Sequence, residues 1–276
     1  MINAKDYINN LILNSLSNNQ IFKRNIIKEY LQILILDFLY TNKKYSELFF
    51  YGGSCLAHCY GLPRLSEDLD FVDSKKRINL IELRDSLADY FKKNTDLHPS
   101  ITIQKFRLYL KFPLLRELKL SKPNETDLLL LKVEIFDKFD FCPKFNSEFR
   151  PIFKFERSIL VRTFDLPTLM SIKIRAILFR KWEKIDKSGN VIAKVKGRDY
   201  YDLMWYLEKK IKPNLNCIEE VKNIGDLKEK LIDAVEKTDA KSVYLDLESL
   251  IDDANFVRNL SKNIKNILIS DIEKLS

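Results

Sequence analysis

The chain has 276 residues, 46% of them hydrophobic and 31% charged, enough apolar material for one large domain or two smaller ones, which excludes a disordered or fibrous chain. Its most apolar run, Ile33 to Tyr40, contains Asp37 and is far too short to span a bilayer, and no early segment combines a basic start, an apolar run and a cleavage site, so a cytoplasmic protein without membrane contact is expected. The net charge of +8 favours a polyanionic partner, although a general bias towards Lys, Asn and Ile supplies part of it.

Apolar residues recur at three and four from Asn25 to Leu39, which predicts an amphipathic helix. A strand at Leu48 to Tyr51, the turn Gly52-Gly53-Ser54, a short helix from Cys55 to Tyr60, Gly61 and an acidic strand ending at Phe71 follow. Ile78 to Lys92 reads as a second long helix, with strands at Ser100 to Phe112, Leu128 to Phe136 and Ser158 to Thr163. Pro167 suits a first helical turn and opens a helix over Leu169 to Trp182. Lys187-Ser188-Gly189-Asn190 is a basic loop, Asp199 to Lys210 a helix that stops before Pro213, and the rest of the chain two or three more helices. The expectation is an α+β fold with two domains. A catalytic part over 1–165 has a mixed sheet and flanking helices, and a part over 166–276 is helical only.

Two short motifs carry the chemistry. Glycines let a backbone approach a phosphate closely, and Ser54 beside Gly53 adds a hydroxyl. Successive side chains on a strand alternate faces, so Asp68 and Asp70 share one face and aim two oxygen ligands at one point. Magnesium takes one or two carboxylates, waters and substrate phosphates, which makes a nucleoside triphosphate the natural co-ligand. Either motif alone is as often a solvated turn. Their order, strand, glycine turn, helix and acidic strand, favours the catalytic reading.

Glu134 is a lone acid in the apolar strand Leu128 to Phe136, and a charge between Val133 and Ile135 is costly unless paired or metal-bound. It is a candidate third metal carboxylate and proton acceptor; the alternative is an edge-strand position facing water. Asp137 and Asp140 are weaker candidates where the strand ends. Lys173 leads the candidates for a triphosphate cation, with Arg175, Arg180 and Arg198 behind it in a basic stretch from Ile172 to Arg198. Asp199 suits an ordinary first-turn acid, whereas Asp202 is a candidate to orient Lys173 or the metal water. The four cysteines show no framework spacing, so disulfides are not expected, and Cys55, His58 and Cys59 read as buried side chains rather than zinc ligands.

Taken together, Gly52-Gly53-Ser54, Arg64-Leu65-Ser66-Glu67-Asp68-Leu69-Asp70, Lys132-Val133-Glu134-Ile135, Lys173 with Arg180, and Arg198-Asp199-Tyr200-Tyr201-Asp202-Leu203 resemble the AbiEii/AbiGii-type toxin nucleotidyltransferases, a branch of the polymerase-β-like superfamily. The resemblance implies a Mg2+-dependent nucleotidyltransferase that moves a nucleoside monophosphate from a triphosphate to an acceptor hydroxyl. It also implies a toxin of a type IV toxin–antitoxin or abortive-infection system against phage, with a cognate antitoxin and the 3′ end of tRNA as acceptor. A protein hydroxyl as acceptor, or a binding module without turnover, stay open. Carried onto this chain, Gly53, Ser54, Ser66, Lys173 and Arg180 would bind phosphate. Asp68, Asp70 and Glu134 would hold the metal, while the 166–276 part would contribute Lys173 and Asp202 to catalysis. Ser54 stands where the family often has threonine, and Glu134 where relatives use Asp.

Overall fold

The computed structural model describes residues 3–185 and 188–276. Two compact units are present, Met1–Phe139 with Glu148–Thr163, and Asp140–Ser147 with Phe164–Ser276.

The first unit opens with helices α1 (Ala4–Leu13) and α2 (Gln20–Thr41), then strand β1 (Phe49–Tyr51), α3 (Gly52–Tyr60), β2 (Leu69–Val72) and α4 (Leu80–Asn94). Strands β3 (Ser100–Gln104), β4 (Arg107–Pro113), β5 (Leu128–Phe136), β6 (Ser147–Lys154) and β7 (Arg157–Phe164) complete it. Asparagine side chains start three of its helices: Asn3 accepts from the Asp6 N–H, Asn19 from Ile21 and Phe22, and Asn79 from Ile81 and Glu82. Short amides satisfy the donors that a helix start leaves bare, which is one structural use of an Asn-rich composition.

The seven strands form one mixed sheet in the order β3-β4-β5-β2-β1-β7-β6. β1 and β2 are antiparallel, β2 and β5 parallel, and β4 and β5 antiparallel. Val133, Ile135 and Leu131 alternate inward along β5 with Lys132 and Glu134 on the other face. α2 is buried on nearly all sides between Ile27 and Leu39, so it is not the amphipathic helix expected from the recurrence at three and four.

Differences from the sequence reading are local. Gly52-Gly53-Ser54 is the first turn of α3 rather than a separate turn. Ser100 to Phe112 divides into β3 and β4 at Lys105, whose φ is +57°. α1, whose Ala4, Ile8 and Ile12 are buried at a four-residue spacing, was not expected, and neither was β6, which carries Pro151 and exposes Phe149 and Phe153, so its pattern does not alternate cleanly between apolar and polar.

The second unit contains α5 (Leu166–Phe179), β8 (Lys184–Ile185), β9 (Val191–Ala193), α6 (Gly197–Glu208), a 3-10 turn at Leu215–Cys217, α7 (Ile224–Glu236), α8 (Ala240–Leu247) and α9 (Ala254–Glu273). It is therefore not helical throughout, since β8 and β9 pair as a small antiparallel hairpin. Two and three residues are too few to leave a strand period in sequence. Lys187 of the predicted basic loop lies outside the described residues. Asp165 caps α5 through the Thr168 N–H. At Gly197 an added Cβ would lie 2.5 Å from the Val243 Cα, so the glycine lets the start of α6 rest directly on the α8 backbone.

Cys142 and Cys217 form a disulfide across a separation of 75 residues, against the expectation from spacing. The pairing depends on Asp140–Ser147 belonging to the second unit, which spacing along the chain does not reveal. Cys55 and Cys59 are free and buried. His58 is held by Gln32 at 3.0 Å, and burial, with Lys154 adding to it, lowers its pKa to about 3, so it stays neutral. Among the described residues no helix is long and apolar enough to cross a membrane.

Candidate active site

Sheet register builds a row of charged side chains across the first unit. Asp70 on β2 pairs with Glu134 on β5, and Glu134 pairs in turn with Arg107 on β4. Paired residues share a face, so a carboxylate, a second carboxylate and a guanidinium stand side by side on the face opposite Val133 and Ile135. β5 lies between β4 and β2, so Glu134 is not on an edge strand facing water. Asp137 and Asp140, beyond the end of β5, are both exposed.

Lys132, two residues before Glu134, closes the row into a cluster. Its Nζ lies 2.9 Å from Asp68 Oδ2 and 2.6 Å from Glu134 Oε1, and Arg107 Nε lies 3.1 Å from the same Glu134 oxygen. Burial works against the ammonium, yet the two carboxylates outweigh it and raise the Lys132 pKa above its ordinary value. Among the described residues no three carboxylate, His or Cys side chains converge as a metal cage. The donor set nevertheless suits a hard divalent ion. Asp68 and Glu134 place their oxygens around one cationic centre, now Lys132 Nζ, with Asp70 beside Glu134 in the sheet.

The two glycines touch this cluster. Gly52 has φ +82°, and a Cβ on it would lie 2.5 Å from Asp70 Oδ2, so only glycine lets the α3 N-terminus meet that carboxylate. A Cβ on Gly53 would lie 2.6 Å from an Arg64 guanidinium nitrogen and 3.0 Å from Ser66 Oγ. Ser54 is fully buried and its hydroxyl donates to the Asp68 carbonyl at 2.6 Å, so the side chain holds the acidic segment in place. Gln32 on α2 donates to the Ser66 carbonyl at 2.9 Å, anchoring the same loop from below.

The second unit holds a cluster of its own. Lys173 Nζ on α5 lies 2.7 Å from Asp199 Oδ1 and 2.8 Å from Asp202 Oδ2 on α6, and Arg180 lies 3.0 Å from Asp199 Oδ2. Asp202 has 0% of its side chain exposed and Lys173 11%. Burial alone would raise the Asp199 pKa, but Lys173 and Arg180 bring it down to about 2. Arg175 stacks over Phe141 at 3.4 Å and pairs with Glu219, and Arg198 Nε lies 3.3 Å from Asp246, so both are engaged apart from this cluster.

The family described as nucleotidyl transferase AbiEii toxin, type IV toxin–antitoxin system, matches residues 35–270. The chain belongs to the AbiEii family. It is accordingly a toxin nucleotidyltransferase. Among solved structures it is similar to MenT4, a nucleotidyltransferase toxin from Mycobacterium tuberculosis, with TM-score 0.53 and 11% identity over 99% of this chain and 90% of that one. JHP933 from Helicobacter pylori matches with TM-score 0.47 and 20% identity, over 94% of this chain and 96% of that one. Among curated proteins no significant match is found. In this AbiEii-family enzyme the structure adds Arg64, Lys132 and Arg107 to the residues singled out from sequence. Arg64 and Lys132 stand inside the motif blocks, which was a usable signal; Arg107 had none, because only the β4–β5 register brings it to Glu134.

Proposed function

We propose that this AbiEii-family toxin transfers a nucleoside monophosphate from a triphosphate to an acceptor hydroxyl at the 3′ end of tRNA in the cytoplasm, with Mg2+ as cofactor and a cognate antitoxin as its restraint. The observation that carries the reading is the cradle at the start of α3. The Gly53 backbone, the Arg64 guanidinium and the Ser66 hydroxyl meet where a side chain would otherwise sit, beside Asp70 at Gly52. A helix start with a cation and a hydroxyl next to carboxylates suits a triphosphate chain whose reacting phosphorus lies over the acids.

In this reading Gly53, Ser66 and Arg64 bind phosphate, and Ser54 supports them by fixing the Asp68 carbonyl. Asp68, Asp70 and Glu134 would hold the magnesium, which when bound supplies charge stabilisation at the phosphates. The acceptor hydroxyl attacks the α-phosphorus in line, the bond to the β-phosphate oxygen breaks, pyrophosphate leaves, and Glu134 is positioned to take the hydroxyl proton. Asp202 is assigned to orienting Lys173, supported by their ion pair, and Arg180 pairs with Asp199 in the same unit. The net charge of +8 suits an RNA acceptor, and phage defence follows as the setting in which such a toxin acts.

Incubating the purified protein with each labelled triphosphate, Mg2+ and total RNA is expected to place label on RNA of tRNA size, removable by 3′ exonuclease. Label migrating with protein would replace RNA by a protein hydroxyl as acceptor. No labelled product with any triphosphate would overturn the transfer reading.

A further inference from the structure

An ammonium group occupies the point on which Asp68 and Glu134 converge. Lys132 Nζ is 2.9 Å from Asp68 Oδ2 and 2.6 Å from Glu134 Oε1, while Arg107 holds the same Glu134 oxygen from the neighbouring strand at 3.1 Å. Lysine offers only donors and so has no lone pair for a metal, and two cations within contact distance of the same oxygens repel. A divalent ion binding through Asp68 Oδ2 and Glu134 Oε1 therefore competes with the Lys132 ammonium for the same two oxygens. The lysine side chain is also suited to leave: its amine sits on a flexible four-carbon stem and is about a quarter exposed.

We infer that Lys132 is an internal counter-cation of the acidic pair, a positioning residue that competes with the divalent metal and gives way when nucleotide phosphates arrive. The inference rests on the metal-dependent reading above. With no nucleotide, Lys132 neutralises Asp68 and Glu134 and metal binding is weak. A triphosphate offers the ammonium a new anionic partner, freeing the two carboxylates for the metal that accompanies it. Metal and nucleotide thus bind cooperatively through one side chain, and the carboxylates are never left as an unpaired cluster.

Titrating the full chain with Mn2+, followed by electron paramagnetic resonance and calorimetry, reads this directly. Lys132→Met is expected to bind Mn2+ about tenfold more tightly than wild type without nucleotide, and to show a correspondingly smaller gain when a non-hydrolysable triphosphate is added. Equal or weaker binding by the folded variant would overturn the inference. Should Lys132→Met fail to fold, amine labelling of the wild-type chain followed by mass spectrometry gives the same answer. Labelling at Lys132 is expected to rise on adding Mn2+, and unchanged labelling with bound Mn2+ would overturn the inference. Failure of the underlying reading looks different: wild type and variant would both take up no Mn2+ beyond that held by the free triphosphate.

Discussion

Asp70→Asn is expected to lower nucleotide transfer about a thousandfold while leaving the protein folded, and to abolish growth inhibition on expression. Asparagine keeps the volume that Gly52 requires, since the approach of the α3 N-terminus to this side chain depends on shape. It removes the charge, and with it one of the carboxylates assigned to holding the metal. The register pairs Asp70 with Glu134 and so puts the lost charge directly beside Glu134, at one end of the row that also includes Arg107. Single-turnover rates with labelled triphosphate, beside a thermal melt, provide the check. A variant with wild-type turnover, or one that stays fully toxic, would remove Asp70 from the catalytic group.

Lys173→Met is expected to destabilise the second unit by about 3–5 kcal/mol, because it leaves Asp199 and Asp202 buried with their principal cation gone. Methionine preserves most of the side-chain volume, so the loss reports charge rather than a cavity. Urea unfolding at neutral pH measures it, and unchanged stability would mean that Arg180 and other neighbours compensate the carboxylates. The same cluster predicts an acid response in the wild type. Asp199 has its pKa lowered from 3.8 to about 2 in the folded chain, so its contribution is present above about pH 4 and is lost as pH falls towards 2. That contribution is about 2 kcal/mol by linkage. In Lys173→Met the lowering shrinks, and this part of the acid loss should shrink with it. Activity and stability are expected to fall together at Lys173, unlike at Asp70.

Much of the element order was legible along the chain. The apolar recurrence of Ile26 to Leu39 marked α2 as a helix, though not one with the single buried face expected, the apolar run Leu128 to Phe136 with its lone Glu134 marked β5, and Pro167 marked the start of α5. These signals survive because each reflects a local rule: an apolar run of helix or strand length, or a ring that fits the first helical turn. The two-strand hairpin β8–β9 was hidden because it is shorter than any period, and the Cys142–Cys217 bridge because β6 and β7 separate its partners along the chain.

The site divides in the same way. Glycine, serine and the paired acids announced themselves by residue type and spacing, so the sequence by itself determined the AbiEii-type motifs, the acidic strand and the glycines that open α3. What those residues touch was decided by tertiary structure. β-sheet register, which sequence leaves open because pairing partners lie far apart, set Asp70 and Arg107 on either side of Glu134. The same folding turned the Ser54 hydroxyl onto a backbone carbonyl instead of leaving it in the open, and brought the Lys132 ammonium between Asp68 and Glu134. Charge type is a property of each residue, but charge pairing is a property of distance, and only the fold supplies distance.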